Sequence, residues 1–184
     1  MGPTPSDDWE TAMLDEVVGP NLRVLFVGIN PGRHSAGLGH HFAGPQNHFW
    51  RLMAESGLTP RLLRPEEDTL LPTFGIGVTN VVARPSRGEG DLSWEEFEAG
   101  ARDLRERVAR WRPRVVACLG KNVARAYAGL SRNAPITWGP VMADGLPAPA
   151  FAAPNPSSRS TIPYAERLRL FRDLAVMAAE TGDA

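Results

Sequence analysis

The stretch Leu22-Arg23-Val24-Leu25-Phe26-Val27-Gly28-Ile29-Asn30-Pro31-Gly32 carries the first decision about the fold. Its opening eight residues, LRVLFVGI (22–29), form a nearly continuous apolar, β-branched run. A half-solvated strand alternates apolar with polar residues, whereas a run of this kind reads as a strand buried on both faces of a parallel sheet. A loop bearing glycine and proline follows at once. Working outward, GIGVTNVV (75–82) and RVVACLG (114–120) repeat the pattern, and ITW (136–138) and PAFAAP (149–154) supply further strand material.

Helical segments alternate with these runs. Residues 9–18 read as a short amphipathic helix. Gly44-Pro45 before QNHFWRLMAESG reads as a helix with proline in its first turn and Gly57 beyond its end. Ser93-Trp94-Glu95-Glu96 is a capping box opening a helix that runs to about Trp111 and stops before Pro113. A short helix is expected from about Asn122 to near Gly129, and a last one over about 162–180, with Leu168, Phe171, Leu174, Ala175 and Ala178 on one face. Strands alternating with helices imply right-handed crossovers, so the expected fold is a single three-layer α/β/α domain over residues 1–184 with a mostly parallel central sheet. The acidic segment 1–20 would be peripheral to it.

Composition narrows the function classes. The 184 residues carry 20 Lys+Arg and 21 Asp+Glu, a net charge of -1 that announces no polyanion partner or membrane surface. The average conceals segregation: residues 1–20 hold five acids and no base, which leaves the remainder at +4. Nineteen of the twenty bases are arginine, a side chain suited to phosphate and base edges, with Lys121 the exception. One cysteine, Cys118, is too few for a disulfide framework, a zinc ribbon or a four-cysteine iron–sulfur cluster. No apolar run approaches the roughly 18 residues of a spanning helix, and the opening MGPTPSDDWE lacks the pattern of a secretory leader. A cytoplasmic, monomeric protein without a membrane partner is the expectation.

In such folds ligands bind beyond the carboxyl ends of the strands. That rule selects the loops 28–44, 83–93, 120–122 and 154–161. In the first, Gly28 and Gly32 let backbone approach a ligand, and Pro31 stiffens the turn presenting Asn30. An amide there can orient a water or a base edge but cannot take a proton. Neither dinucleotide nor P-loop glycine spacing occurs. In the last, Asn155-Pro156-Ser157-Ser158-Arg159-Ser160 precedes a helix, where free N–H groups and hydroxyls suit an anion or a base carbonyl. His34, His40, His41 and His48 cluster, but without the carboxylate or cysteine that a metal site would add, so no metal is expected.

Taken together, GINPG (28–32), the GHHF and GPQNHFW segments (39–50), GIGVTNVVARP (75–85), DLS (91–93), LGK (119–121) and NPSSRS (155–160) resemble the mismatch-specific uracil/thymine-DNA glycosylases of the uracil-DNA glycosylase superfamily, over about residues 22–175. The resemblance implies an enzyme that extrudes uracil, or thymine and other 5-substituted pyrimidines, from G·U and G·T mismatches in double-stranded DNA and cleaves the N-glycosidic bond with no cofactor or metal. It assigns Asn30 to the attacking water, Phe42 to stacking on the base, and Asn155 and Ser157 to the base and the abasic-site phosphate. Ser158, Arg159 and Ser160 match the wedge that reads the orphaned guanine, and Ser35 the residue beside the pyrimidine 5-position. Ile29 joins the base-binding set, as does His41 because it adjoins Phe42. Lys121 is a candidate phosphate contact. Asn30 stands where a related family has an aspartate, so a catalytic carboxylate from another rim loop is expected, with Asp91 the candidate. A non-catalytic binder of uracil-containing or abasic DNA is the alternative, and an unrelated nucleotide-binding α/β enzyme a third reading.

Overall fold

In a computed structural model, which describes residues 7–181, five strands form one sheet in the order β2-β1-β3-β5-β4. The strands are β1 (Val24–Gly28), β2 (Ile76–Asn80), β3 (Val115–Leu119), β4 (Gly139–Val141) and β5 (Ala150–Ala153). All neighbouring pairs are parallel except β4 with β5. The helices are α1 (Arg33–Leu38), α2 (Phe49–Glu55), α3 (Trp94–Trp111), α4 (Lys121–Tyr127) and α5 (Tyr164–Glu180), with short 3-10 helices at Pro65–Phe74 and Glu89–Asp91. This is the expected α/β architecture with a mostly parallel sheet.

The unbroken apolar runs are explained by two cores, one on each side of the sheet. Val24 and Phe26 of β1 pack with Phe49, Leu52 and Met53 of α2 and with Phe171 and Leu174 of α5. Leu25 and Val27 point the other way, against Phe97, Leu104 and Val108 of α3 and Val123 and Tyr127 of α4. Each such side chain, fully buried, contributes about 1.5–3 kcal/mol. Arg23, the one charge in the first run, lies just outside the strand and donates to the carbonyls of Phe74 and Leu58. The capping box forms as expected: the Ser93 hydroxyl accepts from Glu96 N–H while the Glu96 carboxylate accepts from Ser93 N–H. Gly100 brings α3 directly onto the Val81 carbonyl, where any Cβ would collide.

Several elements differ from expectation. Residues 9–18 do not form a helix: after a turn at 7–11 the chain extends, and Val17 exchanges both backbone hydrogen bonds with Val78. β2 is an edge strand with unpaired amides and carbonyls, and satisfying them outweighs a weak helical pattern. Glu16 meanwhile accepts from Thr79 and pairs with Arg107 of α3, so part of the acidic segment is folded onto the domain. Helix α2 begins at Phe49 and not at Pro45, because the Asn47 side chain accepts from Phe49 N–H and starts the helix there. The expected strand at 136–138 forms three residues later, as the short antiparallel β4. Helix α1 and the 3-10 helix over Pro65–Phe74 were not anticipated.

Candidate active site

A cleft of about 500 Å³ opens at the carboxyl edge of the sheet, within the usual range for small-ligand sites. The ends of β1, β2 and β3 reach it through Gly28, Asn80 and Leu119, and β5 through the loop that follows it. At Gly28 a Cβ would lie 2.5 Å from Asn80 Oδ1 and drive that amide aside.

Asn30 is fixed from across the chain. Its Nδ2 donates to the Arg84 carbonyl at 2.9 Å and to Ser86 Oγ at 2.8 Å. Ser86 Oγ in turn donates to the Gly88 carbonyl at 2.9 Å, and Ser86 N–H donates to the Pro31 carbonyl. With both amide protons engaged, Oδ1 is the free end, an acceptor only. The loop that supplies these partners is itself braced by Arg84, which pairs with Glu96 and donates to the Asp91 carbonyl. Arg84 and the Ser93 N–H hold the Glu96 carboxyl down at about 2.

Asn155 is arranged in the opposite sense. Its Oδ1 accepts from Ser157 N–H at 2.9 Å, a turn closed within three residues, which leaves the Nδ2 donors free. Ser157 Oγ accepts from Arg159 N–H and Ser160 Oγ from Ile162 N–H, so the loop is a succession of local side-chain turns. The Arg159 side chain reaches only a long contact of 3.4 Å to the Arg87 carbonyl. Behind the loop, buried Arg167 of α5 donates to the carbonyls of Pro156 and Ser157.

Phe42 forms an aromatic wall. One face stacks on Phe49 with ring centroids 3.9 Å apart and planes 21° from parallel, and the residue lines the cleft. Ser35 lines it too, with its Oγ accepting from Ala43 N–H.

Of the residues singled out from sequence, Ile29, Asn30, Ser35, Phe42, Asn155, Ser157, Arg159 and Ser160 line this one cleft. Four do not. His41 is buried, and its Nε2 donates to the Asp15 carbonyl at 2.8 Å; burial pushes its pKa below the usual 6.5. Asp91 is exposed, its carboxylate accepting from Gly88 N–H. Lys121 lies with its ammonium 5.0 Å from the Trp138 ring centroid, and Ser158 is exposed on the rim. Among the described residues no group of three or more His, Cys, Asp and Glu is placed to hold a metal.

Sequence reasoning passed over Asn80, Ser86, Arg87 and Glu89, all of which line the cleft. Asn80 is the last residue of β2, just ahead of the loop 83–93, so the carboxyl-edge rule extended back to the strand end finds it. Glu89 sits in the loop where Asp91 was favoured, and its Oε1 accepts from Asn122 Nδ2 at 2.6 Å.

An aromatic face beside one free amide acceptor and one free amide donor, at the carboxyl edge of a parallel sheet, has the chemistry to hold a planar heterocycle bearing carbonyl and N–H groups, such as a nucleobase. The family is then identified directly: the model of the uracil DNA glycosylase superfamily matches residues 16–175, and the chain belongs to that superfamily. Its members are DNA glycosylases, hydrolases that release a base from DNA in repair.

Proposed function

We propose that this protein is a mismatch-directed glycosylase that turns uracil, and thymine or other 5-substituted pyrimidines, out of G·U and G·T pairs in duplex DNA and hydrolyses the N-glycosidic bond, leaving an abasic site. The observation that carries this reading is the opposed tethering of two amides, Asn30 presenting an acceptor and Asn155 a donor, beside the Phe42 ring.

Extrusion costs a few kcal/mol of lost stacking and pairing. Stacking on Phe42, about 1–3 kcal/mol for an aromatic partner, offsets part of it. Cleavage moves the C1′–N1 bonding pair onto the pyrimidine and leaves positive charge on the sugar. Donors aimed at the leaving base lower that barrier, and Asn155 Nδ2 is free to be one. Asn30 Oδ1 orients the water whose oxygen bonds C1′. As an amide does not accept the proton, the water attacks a sugar already largely cationic, and its proton passes to solvent. Glu89, the carboxylate on the cleft wall, supplies negative charge for that cation, while Asp91 shapes the rim through Gly88.

Ser35 in this reading stands by the pyrimidine 5-position, Ile29 by its backbone against the base edge, and Ser157 by the abasic-site phosphate. Ser158, Arg159 and Ser160 fill the vacated stack opposite guanine, and Lys121 contacts a phosphate beside the cleft.

The test is incubation with labelled duplexes carrying U or T opposite G or A, followed by alkali, with and without chelator. Strand breaks on G·U exceeding those on A·U, unchanged by chelator, are expected. Absence of breaks on G·U overturns the reading, and retention of the duplex without breaks identifies a binder instead.

A further inference from the structure

Phe42 has φ of 51°, in the left-handed region that an aromatic residue seldom occupies. Such a backbone persists only where its surroundings over-determine it. Three side chains do so here. Buried Asp68, from the 3-10 helix Pro65–Phe74, accepts from His41 N–H at 3.0 Å through Oδ2, and its Oδ1 lies 3.3 Å from His40 Nδ1. Trp50 Nε1 donates to the Phe42 carbonyl at 3.3 Å, and Ser35 Oγ accepts from Ala43 N–H at 3.2 Å. The backbone before, at and after Phe42 is thus held in turn, and Asp68 comes from the 3-10 helix Pro65–Phe74, none of whose residues lines the cleft.

We propose that Asp68 is a positioning residue for the base-stacking wall: its carboxylate fixes the left-handed turn that keeps one face of Phe42 on Phe49 and the other open to the extruded pyrimidine. This deepens the reading of the cleft as a glycosylase site and rests on it. Without the oxygen that accepts from His41 N–H, the turn relaxes toward φ below zero and the ring leaves its place beside the base. An abasic product has no base to stack, so its binding does not depend on the wall.

The experiment compares wild type, Asp68→Ala, Asp68→Asn, Phe42→Ala and the Asp68→Ala/Phe42→Ala double variant in single-turnover cleavage of a G·U duplex and in binding of an abasic duplex. Asp68→Ala is expected to slow cleavage about tenfold or more, the scale of a misplaced reacting group. Abasic-duplex affinity stays within about twofold, since no base-stacking contribution is involved. The double variant is no slower than Phe42→Ala alone. Asp68→Asn restores most of the rate, because its Oδ1 still accepts from His41 and its Nδ2 can donate to His40. Equal losses in cleavage and abasic binding, additive losses in the double variant, or unchanged cleavage in Asp68→Ala each overturn the proposal. Should Asp68→Ala not fold, Trp50→Phe, which removes the donor to the Phe42 carbonyl, must show the same split between cleavage and binding, and an equal loss in both overturns it. If wild type itself leaves the uracil in place, the glycosylase reading fails and this inference with it; if wild type cleaves and the variants do not divide as stated, the inference fails alone.

Discussion

The loops after β1 and after β5 each present an asparagine to the same cleft, and they are held by different means. Asn30 is tied to Arg84 and Ser86, more than fifty residues away in the chain. Asn155 closes a turn on Ser157, two residues on, and the hydroxyls of Ser157 and Ser160 continue that pattern. The first loop therefore inherits the rigidity of the tertiary structure. The second carries most of its own geometry and leaves its tip, Ser158 and Arg159, exposed. On the proposed reading, rigidity suits the amide that holds a water against one carbon atom. On the same reading, a self-contained loop suits the segment that meets DNA.

The largest expected effect breaks the first side of this contrast. Asn30→Ala removes the amide oxygen proposed to orient the water and should slow single-turnover cleavage of G·U by about 10²–10⁴, a few kcal/mol of lost positioning, with abasic-duplex binding little changed. A variant within threefold of wild type would remove Asn30 from the chemistry. Next, Asn155→Asp keeps the oxygen that closes the turn and loses the free donor. It should cost about 10²–10³ in rate, as for an oxyanion donor, with an unchanged melting temperature. If the temperature falls and the rate does not, Asn155 is only a cap. A smaller effect is expected from Ser86→Ala, which leaves Arg84 as the sole partner of Asn30 Nδ2. The net worth of one hydrogen bond is about 0.5–1.5 kcal/mol, so a rate lowered by roughly two- to tenfold is expected; no change would show that the long-range tether does not orient the amide. The smallest concerns the outer support of the first region. His41 is held neutral by burial, with a pKa below 6.5, so the unfolded chain takes up a proton that the fold excludes. Stability is full above 6.5 and declines as pH falls through that value. Thermal melts should drop by a few degrees between about pH 7 and 5, and the portion due to His41 should vanish in His41→Gln; an identical slope in that variant would refute it.

The same contrast explains what could be read from the chain beforehand. The strands were legible because burial on both faces demands continuous apolar runs, and α3 because its capping box is local. The loop after β5 was legible for the same reason, its hydrogen bonds spanning two residues. The tether of Asn30 was not, since nothing near Asn30 in sequence names Ser86. Asp91, the rim carboxylate the sequence suggests, does not line the cleft, whereas Glu89 two residues before it does. Glu89 and Asp91 share one 3-10 turn, in which successive residues advance by about a third of a turn, so the two side chains leave it in different directions. His41 was assigned to the cleft for its adjacency to Phe42, but the left-handed turn at Phe42 parts the two neighbours, and the imidazole is directed inward to Asp15. The extended course of residues 12–18 depended on an unpaired strand edge that no local pattern describes.

The strand order has a consequence of its own. β1 and β5 are not adjacent; β3 lies between them. Strands in a sheet stand about 4.8 Å apart, so the roots of the two asparagine loops are separated by roughly 10 Å, the scale of a single nucleotide turned on its side. The sheet is therefore a ruler graduated in whole strands, and the distance it sets is written in main-chain hydrogen bonds that no cleft side chain makes. Substitutions among the lining residues can alter which base is accepted and how fast it leaves, while the span between the jaws stays the same.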